Sequence, residues 1–310
     1  MPINPKYIEL IKAGEVVAFP TETVYGLGAD AWNPTAIQKV FEVKGRPSDN
    51  PLIVHISKKE QINSFVLEIP DSAKKLIVAF WPGPLSLVLN KKSEVLDAVT
   101  AGLSTVAIRM PDHPLALEFI SETGPLVAPS ANTSGRPSPT KAQHVLEDFG
   151  INFPIIDGEA TKIGLESTVI DLSGNIPSIL RPGSISRKQI EEVLGFEVRE
   201  SFFHGSQGPK SPGQKYSHYK PKAEVRWLEE DEQPNNPSCL YLLISGLASG
   251  SNIINYNNDL NRLAAELYDR FRQADIEGFE KIIIEIIIDS EHDIASALLN
   301  RIRKALHKRE

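Results

Sequence analysis

Residues 19–56 constrain the fold of this chain more than any other stretch of its sequence. An apolar run at 15–19 predicts a buried strand, and a Thr- and Gly-rich turn leads from it to an amphipathic helix predicted at 35–43. The segment KGRPS at 44–48 then connects this helix to a second apolar strand at 52–56. Strand, helix and strand in such close succession are typical of an α/β domain.

The same loose alternation continues to about residue 200, with prolines at several strand ends. Further helices are predicted at 7–13, 72–80, 114–122 and 142–148, and one more begins at Ser186 with a capping box to Gln189. Further strands are predicted at 85–89, 106–109, 126–128, 167–172 and 178–180. Residues 1–200 are therefore expected to form one twisted mixed-sheet α/β domain.

Residues 201–222 have a different composition, with four lysines, no acidic residue and several aromatic side chains. A flexible linker has no need of aromatics, so this segment is expected to dock on the protein. Residues 223–310 then show a smaller α/β pattern, which we interpret as a Rossmann-like C-terminal domain. Its predicted strands are 239–245 and 281–288, and its predicted helices are 259–274 and 294–307.

Composition excludes several classes of protein. The net charge of -7 argues against a protein that coats nucleic acid, and a single cysteine, Cys239, excludes a disulfide framework and a Cys-based zinc site. The seven histidines show no H-x-x-x-H pair, so no metal ligands are predicted. The N-terminal residues do not resemble a signal peptide and no apolar run reaches membrane-spanning length. A cytoplasmic protein is expected.

Two near-matches to nucleotide-binding motifs fail on context. Residues 26–31 fit G-x-G-x-x-A, but the sequence PTET separates them from the preceding strand, and Asn33-Pro34 follows before any helix. Residues 208–215 resemble a P-loop, but Gln214 stands where a lysine must follow the glycine. Neither a dinucleotide site nor a P-loop is expected.

Cations and hydroxyl groups cluster at predicted strand ends. Arg109 and Arg181 each end a strand, Lys44 and Arg46 flank a glycine, and Ser130 opens a loop rich in hydroxyls. A surface salt bridge for Arg109 and an ordinary polar turn for the loop are equally open alternatives. Together these residues suit an anionic, phosphate-rich substrate that is positioned by charge, because no nucleophile or general base is evident.

Seven segments together resemble the YrdC-like family, in the two-domain form of the threonylcarbamoyl-AMP synthases. The combination of KGRP, PSAN and SPG-x-K-Y-x-H-Y-x-P is very specific, whereas the C-terminal region matches only in length and pattern. The segments are FPTETVYGLGADA (19–31), KGRPSDNPLIVHI (44–56), STVAIRMP (104–111), APSANTSGRPSPT (128–140), GLESTVIDL (164–172), LRPGSI (180–185) and SPGQKYSHYKP (211–221).

The resemblance implies an L-threonylcarbamoyladenylate synthase, a nucleotidyltransferase. Such an enzyme converts L-threonine, bicarbonate and ATP into threonylcarbamoyl-AMP and pyrophosphate, with Mg²⁺ held mainly through the phosphates. The product feeds the machinery that modifies the tRNA adenosine next to the anticodon. A weak RNA contact and no membrane contact are also implied. The substrate's own carbamate is the nucleophile, which accounts for the absence of one in the sequence.

The resemblance also implies roles for individual residues. Lys44 and Arg46 are the expected catalytic cations. Residues 201–222 are the expected interdomain linker, which is expected to close over the site. The threonine side is expected to comprise Thr21, His55, Arg109, Ser130 and Ser167. The ATP side is expected to comprise Lys44, Ser48, Thr105, Asn132, Thr140, Arg181 and Tyr216. Whether Ser138 or Thr140 contacts ATP stays open. His55, inside an apolar strand, is also compatible with a core histidine.

Three other functions compete with synthesis of an adenylate. A YrdC-like module can act as a non-enzymatic RNA-binding or nucleotide-sensing domain. The acidic net charge and the specific linker weigh against RNA binding. A carbamoyltransferase of the hydrogenase-maturation type would need further modules that this chain lacks.

Overall fold

A computed structural model describes residues 3–201, 219–246, 248–287 and 293–306. Its first part contains seven α-helices, a short 3-10 helix (Lys59–Ser64) and nine strands. The helices are α1 (Pro5–Lys12), α2 (Pro34–Lys44), α3 (Asp71–Phe80), α4 (Asp97–Thr100), α5 (Pro114–Thr123), α6 (Ala142–Phe149) and α7 (Arg187–Leu194). The strands are β1 (Val17–Phe19), β2 (Gly26–Asp30), β3 (Ile53–His55), β4 (Leu85–Asn90), β5 (Thr105–Arg109), β6 (Leu126–Val127), β7 (Thr168–Asp171), β8 (Ser178–Arg181) and β9 (Arg199–Glu200).

These nine strands form one sheet in the order β1-β2-β6-β3-β5-β4-β7-β8-β9. The pairs β3/β5, β4/β7 and β8/β9 are parallel and the other pairs are antiparallel, so the predicted mixed α/β sheet is confirmed. In the β3/β5 pair, His55 lies directly opposite Arg109. Because side chains alternate between the faces of a sheet, these two project from the same face.

The Thr- and Gly-rich segment after β1 was predicted as a turn, and that prediction is wrong over Gly26–Asp30, which is strand β2. Its glycines hid the strand, because glycine is depleted in strands. Space requires glycine here: a Cβ on Gly28 would lie 2.9 Å from Cε1 of Phe19, across the β1/β2 pair. A glycine within a strand often marks such a close approach.

Helix α2 begins and ends where local chemistry dictates. The Asn33 side chain accepts hydrogen bonds from the backbone N–H groups of Thr35 and Ala36, and Pro34 occupies the first helical turn. Gly45 ends the helix in the left-handed conformation at φ 59°. The predicted capping box of the last helix in this part, from Ser186 to Gln189, is confirmed.

The C-terminal part contains a four-stranded parallel sheet in the order β10-β13-β11-β12. Its strands are β10 (Glu224–Trp227), β11 (Cys239–Leu243), β12 (Ile253–Asn255) and β13 (Lys281–Ile284), and its helices are α8 (Leu260–Glu277) and α9 (Ala295–Ala305). It is an α/β unit, as expected; its Rossmann-like character and the boundaries at 200 and 222 stay predictions. Among the described helices, none is long and apolar enough to cross a membrane.

Candidate active site

A polar cleft opens beside the ends of β3 and β5. Strand ends and loops from distant parts of the sequence meet there, as they do at many ligand sites of α/β proteins. The predicted site residues that line it are Thr21, Arg46, His55, Arg109, Ser130, Asn132, Ser167 and Arg181. The cleft therefore unites side chains expected on the threonine side with side chains expected on the ATP side.

Arg109 is a buried cation at the end of β5. Its Nη1 donates to Oγ1 of Thr23 at 2.9 Å and its Nε to the carbonyl oxygen of Gly83 at 3.2 Å. Its Nη2 lies 2.6 Å from Oε1 of Glu22, which is also buried. Thr21 joins this group, since its hydroxyl oxygen lies 2.8 Å from that of Thr23. Arg109 is thus held in place by contacts within the protein.

His55 is neutral in this setting. Burial, followed by the charge of Arg109, lowers the pKa of His55 to about 3. Its Nδ1 lies 3.2 Å from the carbonyl oxygen of Ile53, which can only accept a hydrogen bond. The proton therefore resides on Nδ1, and Nε2 is the acceptor nitrogen. A neutral imidazole beside Arg109 can accept a hydrogen bond from a substrate hydroxyl or amine.

Lys44 lies behind the cleft and does not line it. Its Nζ donates to the carbonyl oxygens of Ser130 and Asn132, the latter at 2.6 Å. Burial, followed by the charge of Arg46, lowers the pKa of Lys44, whereas the surrounding oxygens favour the ammonium. In this arrangement Lys44 fixes the loop that follows β6; its predicted direct role on phosphates stays a prediction.

Arg46 does line the cleft. Its Nη2 donates to the carbonyl oxygens of Asn50 and Pro51 at 3.0 and 3.1 Å, which fixes the guanidinium against the chain that leads into β3. The side chain of Asn132 is fixed by Ser130, whose Oγ donates to its Oδ1 at 2.5 Å. The guanidinium of Arg46 and the side-chain amide of Asn132, which come from different loops, therefore line the same cleft.

Ser167 and Arg181 also line the cleft. Arg181 donates from Nη2 to Oγ of Ser167 and from Nε to its carbonyl oxygen, both at 3.0 Å. The same hydroxyl lies 2.8 Å from Oγ of Ser86 on β4. These contacts tie the start of β7 to the end of β8, so two predicted residues of different roles act as one unit.

Other predicted residues are not brought into the cleft. Ser48 is exposed, and Thr140 is buried outside the lining, whereas Ser138 lines it. Thr105 begins β5, at the opposite end from Arg109 but on the same face by alternation. Tyr216 lies outside the described residues. The roles predicted for these four side chains stay predictions.

Sequence reasoning did not select several residues that line or support the cleft. Glu22 supports the cleft through its ion pair with Arg109. The lining residues that were not predicted are Thr23, Arg136, Glu166 and Tyr219. The signal that could have found Glu22 and Glu166 is a carboxylate next to a hydroxyl residue within a segment that carries the resemblance, TET and LEST.

Comparisons with known proteins identify the family of this chain. The Sua5/YciO/YrdC family model, described as "Telomere recombination", matches residues 9–183, and a second model, "Threonylcarbamoyl-AMP synthase, C-terminal domain", matches residues 185–306. The threonylcarbamoyl-AMP synthase of Bacillus subtilis (strain 168) is 45% identical over 96% of this chain and 90% of its own length. A putative threonylcarbamoyl-AMP synthase of Mycobacterium tuberculosis (strain H37Rv) is 40% identical, covering 62% of this chain and 89% of its own.

A solved structure supports the same assignment. The crystal structure of Pyrococcus abyssi Sua5 complexed with L-threonine matches with a TM-score of 0.87 and 42% identity, over 96% of this chain and 92% of that one. The chain belongs to the Sua5/YciO/YrdC family and carries, at residues 185–306, the C-terminal domain of the threonylcarbamoyl-AMP synthases.

Proposed function

We propose that the protein forms L-threonylcarbamoyl-AMP and pyrophosphate from L-threonine, bicarbonate and ATP. The observation that carries this proposal is the juxtaposition of Arg109 and neutral His55 on paired strands, with Arg46 and Arg181 beside them in one cleft. A relative 42% identical to this chain was crystallised with L-threonine. The site offers cations for anionic groups and an acceptor for a hydroxyl or amine.

The threonine end of the proposed site is built around Arg109. Its guanidinium binds the substrate carboxylate, since arginine suits a carboxylate by its fork geometry. His55 Nε2 accepts a hydrogen bond from the hydroxyl or amine of threonine. The hydroxyls of Thr21, Ser130 and Ser167 complete the set. Such fixed polar groups bind the zwitterion without adding net charge to the cleft.

The ATP end is served by Arg46, Arg181 and Asn132, with Lys44 behind the loop. The ammonium group of threonine first loses a proton. The neutral amine then attacks carbon dioxide and releases a second proton, or attacks bicarbonate, whose hydroxyl group leaves with that proton as water; either route gives a carbamate. A carbamate oxygen then attacks the α-phosphorus, and pyrophosphate leaves with the electrons of the broken P–O bond. Positive charge around the phosphates stabilises the transition state. Ser48, Thr105, Tyr216 and either Ser138 or Thr140 are further proposed contacts.

We also propose that Mg²⁺ arrives with ATP and is held mainly through its phosphates. Within residues 3–201, 219–246, 248–287 and 293–306, no group of three or more His, Cys, Asp or Glu side chains is placed to hold a metal ion. Mg²⁺ often binds in this manner, retaining waters and using substrate phosphates as ligands. The product then passes, in the cytoplasm, to the enzymes that transfer its threonylcarbamoyl group to tRNA.

The test is release of pyrophosphate from ATP, Mg²⁺ and bicarbonate, with and without L-threonine. We expect release that depends on threonine. Binding of ATP without any release would contradict the proposal and indicate a nucleotide sensor. Salt-dependent RNA binding in the same preparation, again without release, would indicate an RNA-binding module.

A further inference from the structure

Glu166 is an unexpected member of the cleft. It is the only carboxylate among the described residues that line it, and it is buried. An unpaired carboxylate at this point would repel ATP, bicarbonate and the carboxylate of threonine, since electrostatic interactions are strong where water is excluded. The cleft therefore requires a group that cancels the charge of Glu166.

The C-terminal domain supplies that group. Arg301 of α9 is fully buried, and its Nε donates to Oε2 of Glu166 at 2.8 Å. The hydroxyl of Tyr268 on α8 donates to the same oxygen at 3.1 Å. On the other carboxylate oxygen, Ser138 of the cleft donates from Oγ at 2.6 Å. One carboxylate thus joins two helices of the C-terminal domain to a hydroxyl that lines the cleft.

Glu166 is ionised in this environment. Burial alone would raise the pKa of Glu166, but Arg301 and then Arg181 lower it to about 2. Burial alone would lower the pKa of Arg301, but Tyr219 and then Glu166 raise it. The face of the Tyr219 ring adds a further contact, with the guanidinium of Arg301 at 5.5 Å from its centroid.

Contacts other than the Arg301–Glu166 ion pair already hold the two domains together. Val24 and Leu165 of the first domain are buried within the apolar core of the C-terminal domain. Arg272 of α8 also bonds Asp148 at 2.9 Å and the carbonyl oxygen of Pro137 at 2.6 Å. Apolar packing and a second ion pair thus already join the domains. A buried ion pair is by itself weak evidence for stability.

We propose that Arg301 is a positioning residue of the cleft, which neutralises Glu166 and orients its carboxylate toward Ser138, so that the C-terminal domain sets the affinity for anionic substrates. The inference rests on the proposed function. It assigns to the second domain a task in the substrate site itself: control of the net charge of one wall.

The experiment compares steady-state constants of the full chain with those of Arg301→Met, Glu166→Gln and the double variant. We expect R301M to raise the KM for ATP, threonine or bicarbonate by about tenfold or more, because a buried negative charge is left unpaired. We expect E166Q/R301M to regain most of that loss, because both charges are gone. Lower pH should also reduce the R301M defect, since protonation of Glu166 removes its charge.

Arg303→Met is the matched control, because Arg303 is an exposed cation on the same helix and its loss should leave every KM unchanged. Thermal unfolding of each variant checks the fold.

If R301M does not fold, the double variant still tests the proposal. A KM of the double variant well above the wild-type value would overturn it, since the loss of Arg301 would then act structurally. Wild-type KM values in a folded R301M would overturn it too. Wild-type protein that releases no pyrophosphate would instead refute the proposed function.

Discussion

At the scale of single residues, the cleft is defined by charge states that burial imposes. His55 and Arg109 lie opposite each other on β3 and β5, and both are buried. Glu22 forms an ion pair with Arg109. The histidine is neutral because burial, followed by the charge of Arg109, disfavours its proton. A charged donor and a neutral acceptor side by side can bind two different groups of one small substrate.

The first prediction concerns the shape of the Arg109 side chain. Arg109→Lys keeps the charge opposite Glu22 but loses the planar fork, so we expect the KM for threonine to rise by about ten- to a hundredfold. The KM for ATP should change much less. Arg187→Lys, an exposed arginine on α7, is the control. An unchanged KM for threonine in R109K would remove Arg109 from the threonine site.

The second prediction concerns the effect of pH on His55. Its folded-state pKa of about 3 is lower than the ordinary value of 6.5, so between these values the unfolded state binds the extra proton. The wild-type protein should therefore lose stability as pH falls from about 6.5 towards 3. The His55→Gln variant lacks this contribution. Its free energy of unfolding should therefore fall less steeply with decreasing pH, by up to about 1.4 kcal/mol per pH unit. Urea unfolding at a series of pH values measures both slopes; parallel slopes would contradict the assignment.

At the scale of secondary-structure elements, α2 shows how a local sequence fixes a functional position. Asn33 and Pro34 start this helix and Gly45 ends it, so that its last residue is Lys44, whose ammonium reaches the loop after β6. All of these boundaries depend on residues next to each other in the chain. For that reason the helix could be predicted from sequence to within a residue or so at each end.

The third prediction follows from the N-terminal cap of α2. Asn33→Ala removes the oxygen that accepts two backbone hydrogen bonds, so it should lower the free energy of unfolding by about 1 kcal/mol. Asn33→Asp keeps an acceptor oxygen and should restore most of the loss. Chemical denaturation of the three proteins provides the measurement. Equal stability of wild type and N33A would show that the cap contributes nothing.

Strands were predictable where they form apolar runs and were missed where they do not. β11 and β13 are central and buried, and their runs predicted them. β10 and β12 lie at the two edges of the same sheet, are only partly buried, and carry no apolar run that would have revealed them. β2 was missed for a different reason, since close packing against Phe19 requires glycine there. Edge position and steric crowding are tertiary properties that no local pattern reports.

At the scale of the whole molecule, the first domain contributes residues to the apolar core of the C-terminal domain. Leu165, which precedes the pocket residues Glu166 and Ser167, is fully buried in the apolar core of the C-terminal domain. Substrate cleft and domain interface therefore share a segment. A shift of the C-terminal domain that displaced Leu165 would therefore also displace a wall of the cleft.

The fourth prediction follows from that shared core. Leu165→Ala should destabilise the protein by about 2–5 kcal/mol and shift the unfolding of both domains together. Calorimetry should show a single transition in both proteins. Leu67→Ala, at a leucine 66% exposed, should change stability by at most about 0.5 kcal/mol. Two separate transitions, of which only one responds to L165A, would contradict the shared core.

The candidate site could be predicted from sequence only in part, for physical reasons. The residues alone indicated cations and hydroxyls at strand ends, and family resemblance assigned their roles; most of them do meet in one cleft. The partners that set their charge could not be predicted. Glu22 contacts Arg109, which is 87 positions away in the sequence, and Arg301 contacts Glu166, which is 135 positions away. Such pairs are fixed by tertiary packing, which one sequence does not show.

In the proposed reaction, one cleft joins threonine, bicarbonate and the α-phosphate of ATP in a single product. The most direct test is mass spectrometry of the nucleotides formed from ATP, Mg²⁺, L-threonine and ¹³C-labelled bicarbonate. We expect a new nucleotide that contains both threonine and the labelled carbon, in a yield equal to the pyrophosphate released. Release of phosphate or pyrophosphate with only ADP or AMP, and no labelled nucleotide under conditions that preserve a mixed anhydride, would contradict the account.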